Sequence, residues 1–312
     1  MTHEQQPSGS FEFAPASSRG RCGLGPWIEA ARPKTLPAAV VPVLVGSALA
    51  WRVGNFAWLP AGLCLVFALL VQIGTNYAND YGDFVAGADG PDRRGPRRAV
   101  AAGLITPAAM KRGVVITFAA AFLVGLSLIW WGGWVLLPIG IASLLFGWAY
   151  TAGPWPLAYH GLGDIFVFVF FGLVAVGGTF YVMAGRLVPE VVMAAVPVGL
   201  LATNLLVVNN CRDRETDARA NKRTLVVRLG YGFGVVQYAV SLAVAAAVPV
   251  AMAVLWRDAW IAVPVVFLAP AIGLVRRLAG RPDGPTMNGL LAGTAKVLMT
   301  FGLAWAAVLA FA

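Results

Sequence analysis

The sequence predicts an all-α membrane protein whose chain crosses the bilayer nine times. Its 312 residues are 59% hydrophobic and only 12% charged, whereas soluble domains carry about 25% charged residues. The apolar residues gather in segments of roughly 17–25 residues, which is the length a helix needs to span a bilayer. We expect spans at about 36–54, 58–80, 113–131, 134–152, 163–183, 189–210, 233–255, 259–278 and 288–311. Since no long segment is left for a soluble domain, we expect one membrane domain over residues 23–312.

The first 22 residues are rich in Ser, Pro, Gly and Gln, a composition typical of disordered tails. They lack the apolar core of a secretory signal, so we expect the first hydrophobic run to remain as the first span. Cys22, Cys64 and Cys211 are scattered and form no CxxC pair. We expect free thiols rather than a structural metal site.

The distribution of positive charge predicts the orientation in the membrane. If the first of nine spans starts in the cytoplasm, nearly all of the 23 Lys and Arg residues lie on that side; the exceptions are Arg52, Arg186, Arg257 and Lys296. This asymmetry follows the positive-inside rule, which places the N-terminus in the cytoplasm and the C-terminus outside the cell membrane. Anionic lipid headgroups would add to the attraction. The net charge of +9 is thereby explained without nucleic acid as a partner.

Two acidic clusters stand where even-numbered spans end, so both are expected on the cytoplasmic side. The stretches are "NYANDYGDFVAGAD" and "NLLVVNNCRDRETD", and they contain six of the chain's 14 acidic residues. In each, one Asn and two Asp residues recur at helical spacing and share a helix face: Asn76, Asp80 and Asp83, then Asn209, Asp213 and Asp217. Asp89 follows the first helix after glycines that would let the chain bend back.

The two clusters suit a divalent cation and a phosphate ester. Carboxylates disfavour a helix C-terminus, where the macrodipole is negative, and a metal ion would offset that cost. Mg²⁺ takes one or two carboxylates, waters and substrate phosphate oxygens. Arginines, which match phosphate with a bidentate fork, stand beside each cluster; the basic neighbours are Arg93, Arg94, Arg97, Arg98, Arg212, Lys222, Arg223 and Arg228. The alternative for either loop alone is a solvated segment that only orients the chain.

These motifs resemble those of the UbiA family of intramembrane aromatic prenyltransferases. The first family motif is matched by Asn79, Asp80, Asp83 and Asp89, and the second by Asn209 or Asn210 with Asp213 and Asp217. Three further stretches are similar to the branch that prenylates 1,4-dihydroxy-2-naphthoate in menaquinone synthesis, namely residues 31–46, 150–181 and 209–230. The resemblance implies nine helices around a central cavity that opens to the cytoplasm. Met183 departs from the glutamine common in that branch.

The resemblance also implies an activity and its residues. The donor is a polyprenyl diphosphate, the acceptor is 1,4-dihydroxy-2-naphthoate, and CO₂ and diphosphate are lost with Mg²⁺ as cofactor. Asp80, Asp83, Asp213 and Asp217 are expected to hold Mg²⁺, with Asp89 and Asn209 in support. We expect the phosphate oxygens of the substrate to be bound by Arg97, Arg98, Lys222 and Arg223. Asn76 and Asn79 complete the expected substrate contacts near the diphosphate.

Several other side chains carry two open interpretations. Tyr77, Tyr81, Trp148 and Tyr150 either shield an allylic cation or belong to the interfacial aromatic belt. Lys296, the charged residue deep within a span, either binds the acceptor carboxylate or snorkels or pairs within the bundle. Asp164 is either functional or a helix N-cap.

Competing functions are an enzyme of the same family acting on 4-hydroxybenzoate or another ring, and a transporter. Transporters usually show internal repeats and polar residues at the bilayer midplane, whereas the charges here lie at one membrane face. The DGxxAR run of CDP-alcohol phosphotransferases is absent, as are GxGxxG and P-loop motifs.

Overall fold

The computed structural model describes residues 23–88 and 95–311, and all regular secondary structure within these ranges is helical. The disorder predicted for residues 1–22, together with Asp89, Arg93 and Arg94, lies outside the described residues. The all-α prediction is confirmed.

The chain begins with a short helix that the sequence did not predict, α1 (Leu24–Ala31). Arg32 follows in a left-handed conformation with φ 53°. A 3₁₀ turn (Pro33–Thr35) then leads into α2 (Pro37–Arg52). The two helices meet at an angle of 53°. The bend lies between the 3₁₀ turn and the first apolar helix, α2.

The next three helices are α3 (Trp58–Val85), α4 (Pro107–Gly132) and α5 (Leu136–Ala149). α3 continues past its predicted end at residue 80, so the whole "NYANDYGD" stretch is helical. α4 begins where Thr106 accepts a hydrogen bond from the backbone N–H of Ala109. A 3₁₀ turn (Leu157–His160) follows α5.

The following segment is continuous but changes helix type. It consists of α6 (Gly163–Val167), a π-helical stretch (Phe168–Val174) and α7 (Ala175–Ala184). The long helix α8 (Pro189–Arg219) carries the second acidic motif at its C-terminal end. A short helix, α9 (Leu225–Leu229), was not predicted; Thr224 caps it by accepting from the N–H of Val227.

The last helices are α10 (Tyr231–Trp256), a 3₁₀ segment (Ala259–Leu268) continuous with α11 (Ala269–Ala279), and α12 (Gly284–Phe311). Within the described residues, seven helices are long and apolar enough to span a membrane, and the bent pair formed by α1 and α2 would make an eighth. The span predicted at 134–152 corresponds to α5, which has only 14 residues. The protein is therefore an integral multi-pass membrane protein, and the count of nine spans stays a prediction.

The core packs around α8, most of whose apolar length is buried. α2 contacts both α7 and α12 at positions where only hydrogen fits. A Cβ on Gly46 would lie 2.5 Å from the carbonyl oxygen of Val176, and one on Gly302 would lie 2.3 Å from a side-chain atom of Val41. The C-terminal ends of α3 and α8 line the same cavity.

Candidate functional site

The two acidic motifs line one cavity, which we call the polar chamber. α3 contributes Asn76, Asn79 and Asp83, and α8 contributes Asn209, Asn210, Arg212, Asp213 and Asp217. Arg98 reaches in from the segment after α3, and Lys222 from the segment after α8. Helical spacing had predicted that each motif shares a face; the structure shows that the two faces meet.

Three of the carboxylates that line the polar chamber have a cationic partner. Arg98 Nη2 lies 2.6 Å from Asp83 Oδ2, and both side chains are buried. Arg212 donates to both oxygens of Asp213, through Nε at 2.8 Å and Nη2 at 2.7 Å. Lys222 Nζ lies 3.6 Å from Asp217 Oδ1. Because buried charges are costly unless paired, these ion pairs let the protein hold three carboxylates in one cavity.

Lys222 and Asp83 link the two motifs directly. Lys222 Nζ lies 3.9 Å from Asp83 Oδ1 as well as close to Asp217. The ammonium group also stands 5.7 Å from the ring of Tyr159, whose hydroxyl lies 3.4 Å from Asp83 Oδ1. One cation therefore bridges carboxylates from α3 and α8.

The position of α3 at the chamber depends on a close backbone contact. Thr151 donates to Asn79 Oδ1 at 2.7 Å. One turn further, a Cβ on Gly82 would lie 2.8 Å from the carbonyl oxygen of Thr151. A side chain at residue 82 would push α3, which carries Asn79 and Asp83, away from the segment that holds Thr151.

Asp80 occupies a different place from the other predicted metal ligands. Its side chain is 1% exposed and lies outside the polar chamber lining. Its two oxygens accept hydrogen bonds of 3.0 Å from the backbone N–H groups of Ala99 and Val100. In this structure Asp80 therefore anchors the segment that carries Arg98.

Three basic residues predicted to touch substrate lie outside both cavities described here. Arg97 is exposed and forms a two-bond ion pair with Glu29 of α1, with Nε 3.0 Å from Oε1 and Nη2 3.1 Å from Oε2. This partner raises the pKa of Arg97. Arg223 is exposed and donates to Asn221. Lys296 lies on the exposed face of α12.

An apolar chamber adjoins the polar chamber. Its walls come from α2 to α7 and include Val43, Phe67, Leu128, Phe146 and Phe170. Five residues line both chambers and form the junction between them: Gln72, Thr75, Tyr150, Val167 and Phe171. The site is thus a charged cavity that continues into a hydrocarbon-lined one.

Of the four aromatic residues proposed to shield a cation, only Tyr150 lies at this junction. The Tyr150 side chain lines both chambers. Tyr77 donates to the carbonyl oxygen of Trp27, and Tyr81 stacks on Trp148 with 6.2 Å between ring centroids. These three pack between helices outside the chambers.

Asp164 also lines the polar chamber. It lies inside the first turn of α6 and accepts a hydrogen bond of 2.8 Å from Gln237 Nε2. The helix N-cap is Leu162, so the N-cap interpretation of Asp164 is wrong. Met183, which departs from the branch pattern, packs against the core outside either chamber.

The polar chamber also contains residues that the sequence reasoning missed, namely Arg32, Thr35, Gln72 and Thr151. A signal for Gln72 exists in the sequence, because Gln72, Asn76, Asn79 and Asp83 follow one another at spacings of four, three and four. That spacing extends the polar face of α3 into its apolar part. Arg32, Thr35 and Thr151 lie in turns, where no periodicity points to a cavity.

The donor set suits a hard cation such as Mg²⁺. Carboxylate and amide oxygens of Asn79, Asp83, Asn209, Asp213 and Asp217 face the same cavity. In the described part of the chain no three His, Cys, Asp or Glu side chains are grouped tightly enough to hold a metal alone. Mg²⁺ typically takes one or two carboxylates and completes its shell with waters and phosphate oxygens, so this arrangement fits it.

Comparison with known proteins identifies relatives for most of the chain. The model of the UbiA prenyltransferase family matches residues 39–290. A protein of Escherichia coli named 1,4-dihydroxy-2-naphthoate octaprenyltransferase is 47% identical over 65% of this chain and 68% of its own. A protein of the same name from Mycobacterium tuberculosis is 37% identical over 91% of this chain and 97% of its own.

Solved structures share the fold. The apo structure of a UbiA homolog from Aeropyrum pernix matches with a TM-score of 0.68 at 16% identity and covers 89% of this chain and 96% of its own. A UbiA homolog from Archaeoglobus fulgidus bound to DMAPP and Mg²⁺ matches with a TM-score of 0.62 at 15% identity, over 92% and 99% of the two chains.

Proposed function

Because the chain belongs to the UbiA prenyltransferase family, we propose that it transfers a polyprenyl group from a polyprenyl diphosphate to 1,4-dihydroxy-2-naphthoate. The observation that supports this most directly is the join between the polar and apolar chambers. A polyprenyl diphosphate has the same two-part character, with an anionic head and a hydrocarbon tail. Relatives at 36–47% identity bear the name of this activity.

The polar chamber would hold the diphosphate. Arg98, Arg212 and Lys222 supply the cations, and each already lies against a carboxylate. Asp83, Asp213 and Asp217 would hold Mg²⁺ with the amides of Asn79 and Asn209. When bound, Mg²⁺ would neutralise negative charge that develops on the leaving diphosphate. Asp80 would act indirectly, since it holds the backbone of Ala99 and Val100 and thereby positions Arg98.

The apolar chamber would hold the isoprenoid tail. Its phenyl rings and aliphatic side chains exclude water from the carbon that becomes electron-deficient when the C–O bond to diphosphate breaks. An electron-rich ring carbon of the acceptor forms the new C–C bond with its electron pair. Loss of the ring carboxylate as CO₂ returns an electron pair to the ring and restores aromaticity. The product is a prenylated naphthohydroquinone.

We also propose that the polar chamber faces the cytoplasm of the cell. The prediction rests on the positive-inside distribution of Lys and Arg. In the structure, the ends of α3 and α8 that line the chamber are followed by the basic segments of the chain. Mg²⁺ and the anionic aromatic acid, both soluble in water, would then reach the site from the cytoplasm.

The test is prenyl transfer by the purified protein in detergent micelles. The reaction contains 1,4-dihydroxy-2-naphthoate, a polyprenyl diphosphate and Mg²⁺, and the product is detected by mass spectrometry as demethylmenaquinone after oxidation in air. We expect product that disappears with EDTA and returns with added Mg²⁺.

Two parallel reactions separate the alternatives. Product from 4-hydroxybenzoate alone would keep the prenyltransferase activity and overturn the naphthoate as acceptor. The absence of product from either ring, with protein shown to be folded by its thermal unfolding transition, would contradict the proposal and return attention to a transport function.

A further inference from the structure

Gln72 occupies the boundary between the two chambers and lines both. Its side chain is 8% exposed. It is a polar amide in an otherwise apolar stretch of α3, from Trp58 to Gly74. Because a polar group in such a position is costly to bury, the partners of its amide nitrogen and oxygen need to be identified.

The hydrogen-bond pattern around Gln72 determines which end of its amide faces which neighbour. Thr35 uses its hydroxyl proton to donate to the carbonyl oxygen of Arg32 at 3.0 Å, and its Oγ1 accepts from Asn76 Nδ2 at 3.3 Å. Asn76 Nδ2 also donates to the carbonyl oxygen of Ala31 at 2.9 Å, which leaves Asn76 Oδ1 as an acceptor.

Gln72 therefore meets two acceptors on one side. Its Nε2 lies 3.4 Å from Thr35 Oγ1 and 3.5 Å from Asn76 Oδ1. If the Gln72 amide were flipped, its carbonyl oxygen would face these two oxygens, and no proton would be available for a hydrogen bond between them. The nitrogen must take this side, and Oε1 is turned away from the α1–α2 turn.

Gln72 Oε1 is buried and has no hydrogen-bond partner among the residues that the structure describes. Such an acceptor is rare in folded proteins, since removal from water without a replacement partner is costly. Asn76 Oδ1 and Thr35 Oγ1 hold the amide in this orientation. The chain thus maintains an acceptor at the junction that it does not itself use.

The proposed function places the acceptor ring at this junction. If the diphosphate lies in the polar chamber and the tail in the apolar one, the C–O bond that breaks lies where the chambers meet. The ring carbon that attacks must lie within bonding reach of that point. Thr75, Tyr150 and Phe171 share the junction with Gln72 and would surround the ring.

We propose that Gln72 Oε1 accepts a hydrogen bond from a ring hydroxyl of the aromatic acceptor. This inference rests on the proposed function and adds a specificity-determining residue to it. An amide oxygen can accept but not donate, so it recognises a hydroxyl and rejects an ether or an unsubstituted ring edge at the same place. Sites built to hydrogen-bond a hydroxyl discriminate strongly against analogues that lack it.

The test measures binding rather than turnover, so that it stands apart from the test of activity. Dissociation constants are measured by equilibrium dialysis under argon for 1,4-dihydroxy-2-naphthoate, 1-hydroxy-2-naphthoate and 4-hydroxy-2-naphthoate. The proteins are the unaltered chain, Gln72→Leu and, as a second apolar variant of similar length, Gln72→Met. Thermal unfolding identifies any variant that does not fold, and the other then supplies the measurement.

We expect Gln72→Leu to weaken binding of the dihydroxy acid by about tenfold to a hundredfold. The analogue that lacks the contacted hydroxyl should bind the unaltered chain and Gln72→Leu equally, because the bond is already missing. The dissociation constant for the polyprenyl diphosphate should not change.

An equal loss for all three ring acids would show that Gln72 acts only through the structure of α3, and no loss for any of them would show that it does not touch the ring; either result overturns the inference. Failure of prenyl transfer by a chain that binds the dihydroxy acid through Gln72 would contradict the proposed function alone. Failure of the unaltered chain to bind the dihydroxy acid would overturn both.

Discussion

The buried ion pair between Arg98 and Asp83 supplies the sharpest prediction, because the chain contains its own control one residue away. Arg97 and Arg98 are neighbours of the same type, and both were predicted to bind phosphate. In the structure Arg98 Nη2 lies 2.6 Å from Asp83 Oδ2 with both side chains buried, whereas Arg97 pairs with Glu29 in solvent. Replacing each with Met removes the charge and keeps most of the aliphatic stem.

The expected magnitude follows from what Asp83 retains. Without Arg98, the carboxylate keeps the hydroxyl of Tyr159 at 3.4 Å and the ammonium of Lys222 at 3.9 Å, both too distant for strong hydrogen bonds. Breaking a buried ion pair from one side costs about 3–5 kcal/mol. Arg98→Met should therefore lower the free energy of unfolding by about that amount and abolish prenyl transfer. Arg97→Met should leave both unchanged within error, since an exposed pair is screened by solvent.

The measurement is SDS-induced unfolding in mixed micelles, followed by tryptophan fluorescence, together with the rate of prenyl transfer. A third protein, Arg98→Met combined with Asp83→Asn, separates stability from function. Removing both charges should recover much of the lost stability without restoring activity. Equal destabilisation by the two single Met substitutions, or unchanged activity in Arg98→Met, would refute the assignment of Arg98 to the site.

Three further predictions test the placement of individual residues. Asp217→Asn should lower the rate of prenyl transfer by about a hundredfold or more, while Glu215→Gln, on the exposed side of the same helix turn, should not; similar rates for the two would remove Asp217 from the site. Gly82→Ala should lower the free energy of unfolding by about 1–3 kcal/mol, because its Cβ would lie 2.8 Å from a carbonyl oxygen. Gly62→Ala, in open space on the same helix, is its control, and equal stability of the two variants would contradict the packing argument. Lys296→Met should keep the full rate, since Lys296 is exposed outside both chambers; a large rise in the KM for the naphthoate would restore it as a substrate contact.

The sequence predicted the long apolar helices from their composition and the shared face of each motif from helical periodicity. It did not separate Asp80 from its neighbours. At about 100° per residue, Asp80 lies at one edge of the shared face of α3 and Asn79 at the other, with Asn76 and Asp83 between them. The polar chamber covers the side of Asn79, while the backbone N–H groups of Ala99 and Val100 take the opposite edge. Only the tertiary contact decides which edge faces the cavity.

The side-chain orientations of Arg97, Arg98 and Lys296 relative to the site were also unpredictable, but for a different reason. Arg97 and Arg98 lie in a loop, where successive side chains follow no fixed period, and the partner of each comes from a distant helix. Lys296 stands in a helix whose residues are apolar almost all round, so no polar stripe indicates which side faces the protein. The orphan oxygen of Gln72 depends on a turn between α1 and α2 that local pattern does not describe.

The pairing of three chamber carboxylates with Arg98, Arg212 and Lys222 has a consequence for how ligands enter the polar chamber. Charges of opposite sign already lie against one another in this chamber, so these three carboxylates do not depend on a ligand for a counter-charge. Under the proposed function, a metal ion and a diphosphate enter together, and their opposite charges largely balance each other in the chamber. The carboxylates would then coordinate the metal ion, and the guanidinium and ammonium groups would form ion pairs with the phosphates. When the products leave, the original ion pairs within the protein would form again. Binding and release then require only that the charged side chains of the chamber exchange ion-pair partners. This exchange would let a strongly anionic substrate bind and dissociate within the membrane.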